Sequence, residues 1–125
     1  MLRAVVIDDI ETIRKEHIAL IHSKCPEVSV IAEADSVASG VRAIKQYAPD
    51  LVFLDVEMPD GNGFDLLQQV RPINFKVIFI TGYEDFAIRA FRFSAIDYLL
   101  KPLQVNDLQE AVRKAKDSMS REIFN

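Results

Sequence analysis

Short apolar runs that alternate with longer stretches of helical period constrain the fold of this chain more than any other feature. Most of these runs are apolar at every position, as strands buried on both faces of a parallel sheet are. The five runs are Ala4–Ile7, Val28–Ala32, Leu51–Leu54, Lys76–Ile80 and Ala95–Leu100. Five βα units joined by short connections predict an α/β fold, an open parallel sheet with right-handed crossovers and helices on both faces.

The helical stretches between the runs have recognisable ends. Ser36 can cap the second helix, and prolines follow the first, second and third helices. The helices are predicted over Thr12–Lys24, from Val37 to the residues before Pro49, over Phe64–Val70, over Tyr83–Phe91 and from Val105 or Asn106 onward. In the fourth helix we expect Ile88 and Phe91 to face the core.

Composition excludes several classes of protein. The chain has 125 residues, of which 50% are hydrophobic, with one cysteine and a net charge of −4. These values predict one domain over residues 1–125 with its own core and without disulfides. No apolar run approaches the ~18 residues of a membrane span, so we expect a cytoplasmic protein with no membrane contact. The acidic balance argues against direct binding to nucleic acid.

Acidic side chains follow two of the predicted strands. Asp8 and Asp9 end the first apolar run, and Asp55 ends the third. In the flavodoxin-like, doubly wound strand order 2-1-3-4-5 these two strands are neighbours, so the three carboxylates converge at one sheet edge. Each pair at ~4 Å repels by up to about 4 kcal/mol at an effective dielectric near 20. Mg²⁺, which prefers oxygen ligands, would relieve this repulsion.

Two further polar residues end the fourth and fifth runs at the same edge. Thr81 brings a hydroxyl and Lys101 a positive charge. Acids, a divalent cation, a hydroxyl and an ammonium together are typical of phosphoryl transfer. Each residue taken alone has a plainer interpretation, as a helix cap, a turn residue or a solvated lysine. The coincidence of all of them at one edge favours the phosphoryl-transfer site.

These residues, in this order, resemble the receiver domain of bacterial two-component response regulators. The resemblance covers nearly the whole chain and rests on the acidic pair, on Thr81-Gly82 and on two longer motifs. The longer motifs are Asp55-Val56-Glu57-Met58-Pro59-Asp60-Gly61-Asn62-Gly63 and Asp97-Tyr98-Leu99-Leu100-Lys101-Pro102. The segment from Ala87 to Pro102 is most similar to receivers of the LytTR (LytR/AlgR) type, which normally precede a DNA-binding domain.

The resemblance implies a role for each acid. Asp55 would be the phosphoacceptor, taking a phosphoryl group from a sensor histidine kinase. Asp9 and Asp55 would bind Mg²⁺ directly together with the backbone carbonyl of Glu57, and Asp8 would act mainly through water. The chain would then catalyse only its own phosphorylation and dephosphorylation.

The resemblance also implies how the signal leaves the site. Thr81 would donate a hydrogen bond to the phosphoryl group, and Lys101 would form an ion pair with it. The Lys101-Pro102 peptide bond would be cis. Our switch hypothesis is that Thr81 moves toward the phosphoryl group and Tyr98 turns from an outward to an inward rotamer. The face made by the fourth helix, fifth strand and fifth helix would change with it. A homodimer through this face is expected, and DNA would be reached only through an output domain outside this chain.

Other functions remain as alternatives. A stand-alone or pseudo-receiver would bind partners without phosphorylation, although its acids would normally be eroded. A magnesium-dependent phosphatase would need a second acid or base, and a flavodoxin-like FMN carrier would need a hydroxyl-rich phosphate loop after the first strand. We interpret His17 and His22 as structural or kinase-docking residues, because their spacing places them on different helix faces. Cys25 is interpreted as a buried, inert thiol.

Overall fold

A central sheet of five parallel strands organises the computed structural model, which describes residues 1–124. The strand order is β2-β1-β3-β4-β5, as the sequence predicts. The strands span Leu2–Ile7 (β1), Val28–Ala34 (β2), Leu51–Leu54 (β3), Lys76–Thr81 (β4) and Asp97–Leu100 (β5). The helices span Glu11–Lys24 (α1), Val37–Tyr47 (α2), Gly63–Gln69 (α3), Ala87–Arg92 (α4) and Val105–Phe124 (α5).

The sheet separates two apolar cores. In β1, Val5 and Ile7 point to the core under α2, α3 and α4, whereas Ala4 and Val6 point to the core under α1 and α5. This explains why the strands are apolar at consecutive positions, since both faces of the sheet are covered. None of the helices within residues 1–124 is long and apolar enough to cross a membrane.

Helix α1 buries polar residues on its inner face. Arg14, His17 and Ile21 are its buried residues, at spacings of three and four. Burial lowers the pKa of His17, with the nearby Asp8 carboxylate acting in the opposite direction. His22 is exposed, so the two histidines lie on different faces as predicted. Cys25 is buried, and this burial, with Glu27 nearby, raises the pKa of its thiol to about 11, which agrees with an inert thiol.

The region of the fourth helix differs from the prediction. A 3₁₀ turn over Glu84–Phe86 precedes α4, so the helix begins at Ala87 instead of Tyr83. Ile88 and Phe91 are 74% and 81% exposed, so their assignment to the core is wrong. Ala90 is the residue that α4 buries, and the space beneath it is filled by other rings. The centroids of Phe86 and Phe93 lie 6.2 and 5.4 Å from that of Phe64.

Candidate phosphoryl-transfer site

The three predicted acids meet at the carboxyl edge of the sheet. Ile7 and Leu54 are paired across β1 and β3, so the residues that follow them leave the sheet side by side. Asp8, Asp9 and Asp55 each present a carboxylate oxygen, and these oxygens lie within 4.8 Å of one another. Asp8 and Asp55 are buried, whereas Asp9 is exposed. Although Asp9 is exposed, the neighbouring residues remove part of its hydration, and this partial desolvation together with the Asp8 carboxylate raises the pKa of Asp9.

Lys101 supplies the positive charge of the cluster. Its Nζ donates to Oδ2 of Asp55 at 2.8 Å and forms an ion pair with Oδ2 of Asp8 at 2.8 Å. Its backbone nitrogen donates to the carbonyl of Thr81 at 2.8 Å, which extends the pairing of β4 and β5. The Lys101-Pro102 bond is cis, as the resemblance implies. Burial alone would lower the pKa of Lys101, but its hydrogen bonds to Asp55 and Asp8 outweigh burial and raise it.

A small hairpin holds the loop that follows Asp55. Glu57–Met58 pairs with Gly61–Asn62, and the nitrogen of Gly63 donates to the carbonyl of Val56 at 2.7 Å. The exposed Glu57 lies at the start of this hairpin, two residues after Asp55.

Asp60 fastens the hairpin to α2. Its carboxylate accepts hydrogen bonds from the backbone nitrogens of Val37 at 2.8 Å and Ala38 at 3.0 Å, in the first turn of that helix. Negative charge is favourable at a helix N-terminus. The hydrogen bonds from Ala38 and Val37 hold the pKa of Asp60 below its ordinary value.

Thr81 and Tyr98 are connected through the backbone of Tyr83. Thr81 is fully buried, and its Oγ accepts a long hydrogen bond from the nitrogen of Tyr83 at 3.4 Å. The hydroxyl of Tyr98 donates to the carbonyl of the same residue. The half-buried ring of Tyr98 lies 5.9 Å from that of Phe79. Within residues 1–124, Asp8, Asp9, Asp55 and Lys101 form one cluster, and neither the Thr81 nor the Tyr98 side chain hydrogen-bonds to it.

Sequence reasoning missed Arg14 and did not assign a role to Asp60. Arg14 donates to the carbonyl of Asp8 and is therefore part of the surroundings of the site. The sequence indicates its burial only through helical spacing, since Arg14 lies three residues before His17 and so on the same face of α1, which packs on the sheet. The two bonds of Asp60 to α2 cross 22 and 23 residues of sequence and leave no local signal.

Comparison with known proteins decides the family. The response regulator receiver domain family matches residues 4–113, which include every residue of the cluster. The chain belongs to this family. Its assignment to the receiver domains of two-component systems is therefore confirmed, and a receiver domain is a signalling module rather than a classical enzyme.

Relatives also support the type of receiver that the sequence suggested. The sensory transduction protein LytT of Enterococcus faecalis is 32% identical over 124 residues, which cover 98% of this chain and 51% of that protein. An uncharacterized response regulatory protein of Vibrio vulnificus is 37% identical, with coverages of 96% and 50%. The receiver domain thus spans about half the length of these curated relatives.

Solved structures confirm the fold. The receiver domain of AraT from Geobacillus stearothermophilus has a TM-score of 0.86 at 30% identity, covering 97% of each chain. A receiver domain from Clostridium thermocellum has a TM-score of 0.84, also at 30% identity, covering 96% of this chain and 98% of its own.

Proposed function

We propose that this receiver domain takes a phosphoryl group from a sensor histidine kinase onto Asp55 in a Mg²⁺-dependent reaction in the cytoplasm. The observation that carries the proposal is the cluster itself, with Lys101 Nζ 2.8 Å from both Asp55 and Asp8. The three carboxylates present oxygens within 4.8 Å of one another and repel, so three acids beside a single lysine are a poor choice for stability alone. With a cation, they become suited to compensating the charge of a phosphoryl group.

The donor set fits Mg²⁺. Mg²⁺ takes oxygen ligands at about 2.1 Å, and the three carboxylate oxygens, which lie within 4.8 Å of one another, are close enough together to share one ion. Asp9, Asp55 and the backbone carbonyl of Glu57 are the proposed direct ligands, and Asp8 would act through water. When bound, the ion would supply positive charge to the phosphoryl oxygens.

In the proposed reaction, a carboxylate oxygen of Asp55 attacks the phosphorus of a phosphohistidine. The oxygen–phosphorus bond forms as the nitrogen–phosphorus bond breaks, and the imidazole nitrogen leaves with the electron pair and takes up a proton. Lys101 pairs with a phosphoryl oxygen, and the Thr81 hydroxyl donates to another. Because the product is a modified Asp55, each chain accepts one group and then awaits hydrolysis.

The hydrogen bonds around Tyr83 support a route from the site to the surface. When Thr81 turns toward the phosphoryl group, its Oγ leaves the nitrogen of Tyr83, and the carbonyl of that residue is the acceptor for Tyr98. In this structure the half-buried ring of Tyr98 packs against Phe79. Our switch hypothesis therefore requires that the unphosphorylated protein also populates a second state, in which Tyr98 adopts the outward rotamer. Charge-assisted hydrogen bonds, at about 1.5–3 kcal/mol each, are strong enough to shift such an equilibrium.

A groove beside the cluster suits the docking of the kinase. It lies between α1 and the loop after β5, with Ile13, Leu20 and Leu103 among its lining residues. Lys101 lines the same groove, so a helix seated there would hold a phosphohistidine next to Asp55. The exposed Ile10 adds apolar surface directly after the acidic pair.

The exposed side of α4 is the proposed centre of a homodimer through the α4-β5-α5 face. Ile88 and Phe91 stand out from α4, and Leu100 at the end of β5 is 45% exposed. Exposed apolar side chains grouped on one face are typical of association sites. Charges of both signs are available, since the exposed Arg92 lies on α4 and the exposed Asp107 on α5.

Replacing Phe91 with aspartate is expected to weaken this dimer. Burial of a phenylalanine contributes about 1.5–3 kcal/mol, and a homodimer contains two copies of Phe91, so the dimer dissociation constant should rise about 100-fold or more. Sedimentation of protein loaded with Mg²⁺ and beryllofluoride, an analogue of the phosphoryl group, measures the effect. Tyr47→Asp on α2 is the matched control and should dimerise as wild type does. Equal dimerisation of the Phe91 variant would place the interface elsewhere.

Mass spectrometry tests the central proposal. After incubation with acetyl phosphate and Mg²⁺, the wild-type chain should gain one phosphoryl group, and chelation of Mg²⁺ should prevent the gain. Asp55→Ala should gain none, whereas Asp107→Ala, a control in the exposed first turn of α5, should be modified normally. An unmodified wild type would contradict the proposal and favour a pseudo-receiver, whereas equal modification of Asp55→Ala would contradict it by placing the phosphoryl group on another residue.

The output is proposed from relatives. One similar structure, 25% identical with a TM-score of 0.83, is a DNA-binding response regulator of the LuxR family from Staphylococcus aureus. We propose that phosphorylation here regulates transcription, with DNA contacted only through an output domain outside these residues. Residues 1–125 would act as a single receiver domain within that arrangement.

A further inference from the structure

Arg14 is a buried cation that no step of the proposed reaction uses. The residue is 8% exposed, and it lies on the inner face of α1. Its Nη1 donates to the backbone carbonyl of Asp8 at 2.8 Å, and its Nε donates to Oε1 of Glu33 on β2 at 2.6 Å. The other carboxylate oxygen of Glu33 accepts from Lys15 at 2.7 Å. The hydrogen bonds from Arg14 and Lys15 keep the pKa of Glu33 below its ordinary value.

The bond from Arg14 acts on the backbone of the acidic pair. The carbonyl of Asp8 belongs to the peptide that joins Asp8 to Asp9, so the guanidinium fixes the plane from which both side chains extend. The remaining polar groups of Asp8 are also held, since its nitrogen donates to Ala34 at 3.1 Å and its Oδ1 accepts from Ile10 at 2.9 Å. The hydrogen bonds of Arg14 go to the Asp8 carbonyl and to Glu33, so the guanidinium contacts the backbone of the acidic pair and not its carboxylates.

We propose that Arg14 is a positioning residue that holds the Asp8–Asp9 peptide in the orientation required for Mg²⁺ binding, with Glu33 holding the guanidinium in place. The proposal rests on the proposed function, because it assumes that the acids bind Mg²⁺. Groups that orient ligands from outside the coordination sphere typically change metal affinity 10- to 100-fold when removed. A guanidinium is suited to this task because its planar donors bind two acceptors at once.

The sign of the effect separates this role from two others. If Arg14 only added positive charge near the site, its removal would strengthen Mg²⁺ binding, because a repulsive charge would be lost. If it served only to stabilise the fold, its removal would lower the free energy of unfolding and leave the Mg²⁺ affinity of the folded protein unchanged. A positioning role requires weaker Mg²⁺ binding by protein that remains folded.

Calorimetric titration of the full chain with magnesium chloride distinguishes these cases. Arg14→Gln should raise the dissociation constant for Mg²⁺ about 10-fold or more. Arg14→Lys, which retains the charge but has only one donor group, should lie between Gln and wild type. Lys15→Gln is the matched control, since it removes the other cation on Glu33, and it should bind Mg²⁺ within about twofold of wild type. Circular dichroism establishes that each variant is folded.

A second variant, Glu33→Gln, tests the inference even if Arg14→Gln does not fold. Glu33→Gln leaves Arg14 present but weakens the ion pair that orients it, so it should raise the Mg²⁺ dissociation constant by a smaller factor in the same direction. Equal or tighter Mg²⁺ binding by folded Arg14→Gln, or by Glu33→Gln if that is the only folded variant, would overturn the inference. Absence of Mg²⁺ binding by the wild type would instead overturn the proposed function.

Discussion

Replacing Lys101 with methionine is expected to slow phosphorylation by acetyl phosphate about 100- to 1000-fold, the range seen when one positioned donor to a developing negative charge is removed. The Nζ of Lys101 lies 2.8 Å from Asp55 and is the nearest positive group of the chain to the proposed phosphoacceptor within residues 1–124. Methionine retains much of the side chain's length and apolar stem but has no charge. Rates are measured by mass spectrometry at saturating Mg²⁺.

Mg²⁺ affinity should move in the opposite direction in the same variant. Lys101 also pairs with Asp8 at 2.8 Å, so its ammonium opposes a second cation among the same carboxylates. Its removal should therefore tighten Mg²⁺ binding while the rate falls, which a misfolded variant would not do. Lys114→Met is the control, because Lys114 forms its ion pair with Asp97 at the surface. A rate within about tenfold of wild type would contradict the proposed role of Lys101.

Replacing Gly63 with alanine should strongly destabilise the protein. A Cβ at this position would lie 2.6 Å from the backbone carbonyl oxygen of Asp55 and 3.1 Å from the side chain of Leu54. Backbone cannot yield as a flexible side chain can, so the loop must shift. Overpacking of this kind typically reduces the free energy of unfolding by about 1–3 kcal/mol, and contact with fixed backbone places this substitution at or above the upper end. Urea unfolding measures the loss.

Gly82 provides a matched control for this substitution. A Cβ there would meet nothing within 4 Å, although the residue follows Thr81 at the same sheet edge. Gly82→Ala should therefore change the free energy of unfolding by no more than about 0.5 kcal/mol, as exposed substitutions usually do. Similar losses in the two variants would mean that the close approach of Gly63 to Asp55 does not limit stability.

The position of the site could be predicted because a parallel sheet brings the carboxyl ends of its strands together. Asp8 and Asp55 follow β1 and β3. In these two strands the runs Ala4–Ile7 and Leu51–Leu54 are apolar at every position, which predicts that the strands lie in the centre of the sheet, where they are neighbours in the order 2-1-3-4-5. Lys101 could be placed at the same edge by the same reasoning. No contact between side chains had to be known, since strand order alone determines which residues meet.

The side chains of α4 could not be predicted in the same way. Helical periodicity requires several turns, and α4 has only six residues after a 3₁₀ turn of different period. Phe86 and Phe93, which flank the helix, occupy the space that Ile88 and Phe91 were expected to fill. Which aromatic side chains of this region are buried therefore depends on packing against Phe64, and helical periodicity does not predict it.

Hydrogen bonds between residues far apart in the chain could not be predicted from the sequence either. Arg14 and Glu33 are 19 residues apart, and Tyr98 finds its acceptor 15 residues earlier in the chain. Hydrophobic pattern predicts which face of an element is buried, but it does not specify which polar groups become partners there. Such pairs follow from the final placement of α1 against β2 and of β5 against the loop after β4.

The hydrogen bonds from α2 to Asp60 connect that helix to the loop that follows Asp55. The amide protons of Val37 and Ala38 point at the carboxylate of Asp60, in the hairpin that begins two residues after the proposed phosphoacceptor. Any rearrangement of the hairpin alters the magnetic environment and the solvent exchange of these two protons. They form a spectroscopic probe on a helix outside the α4-β5-α5 face, so the proposed phosphorylation of Asp55 can be followed separately from the proposed association of the protein.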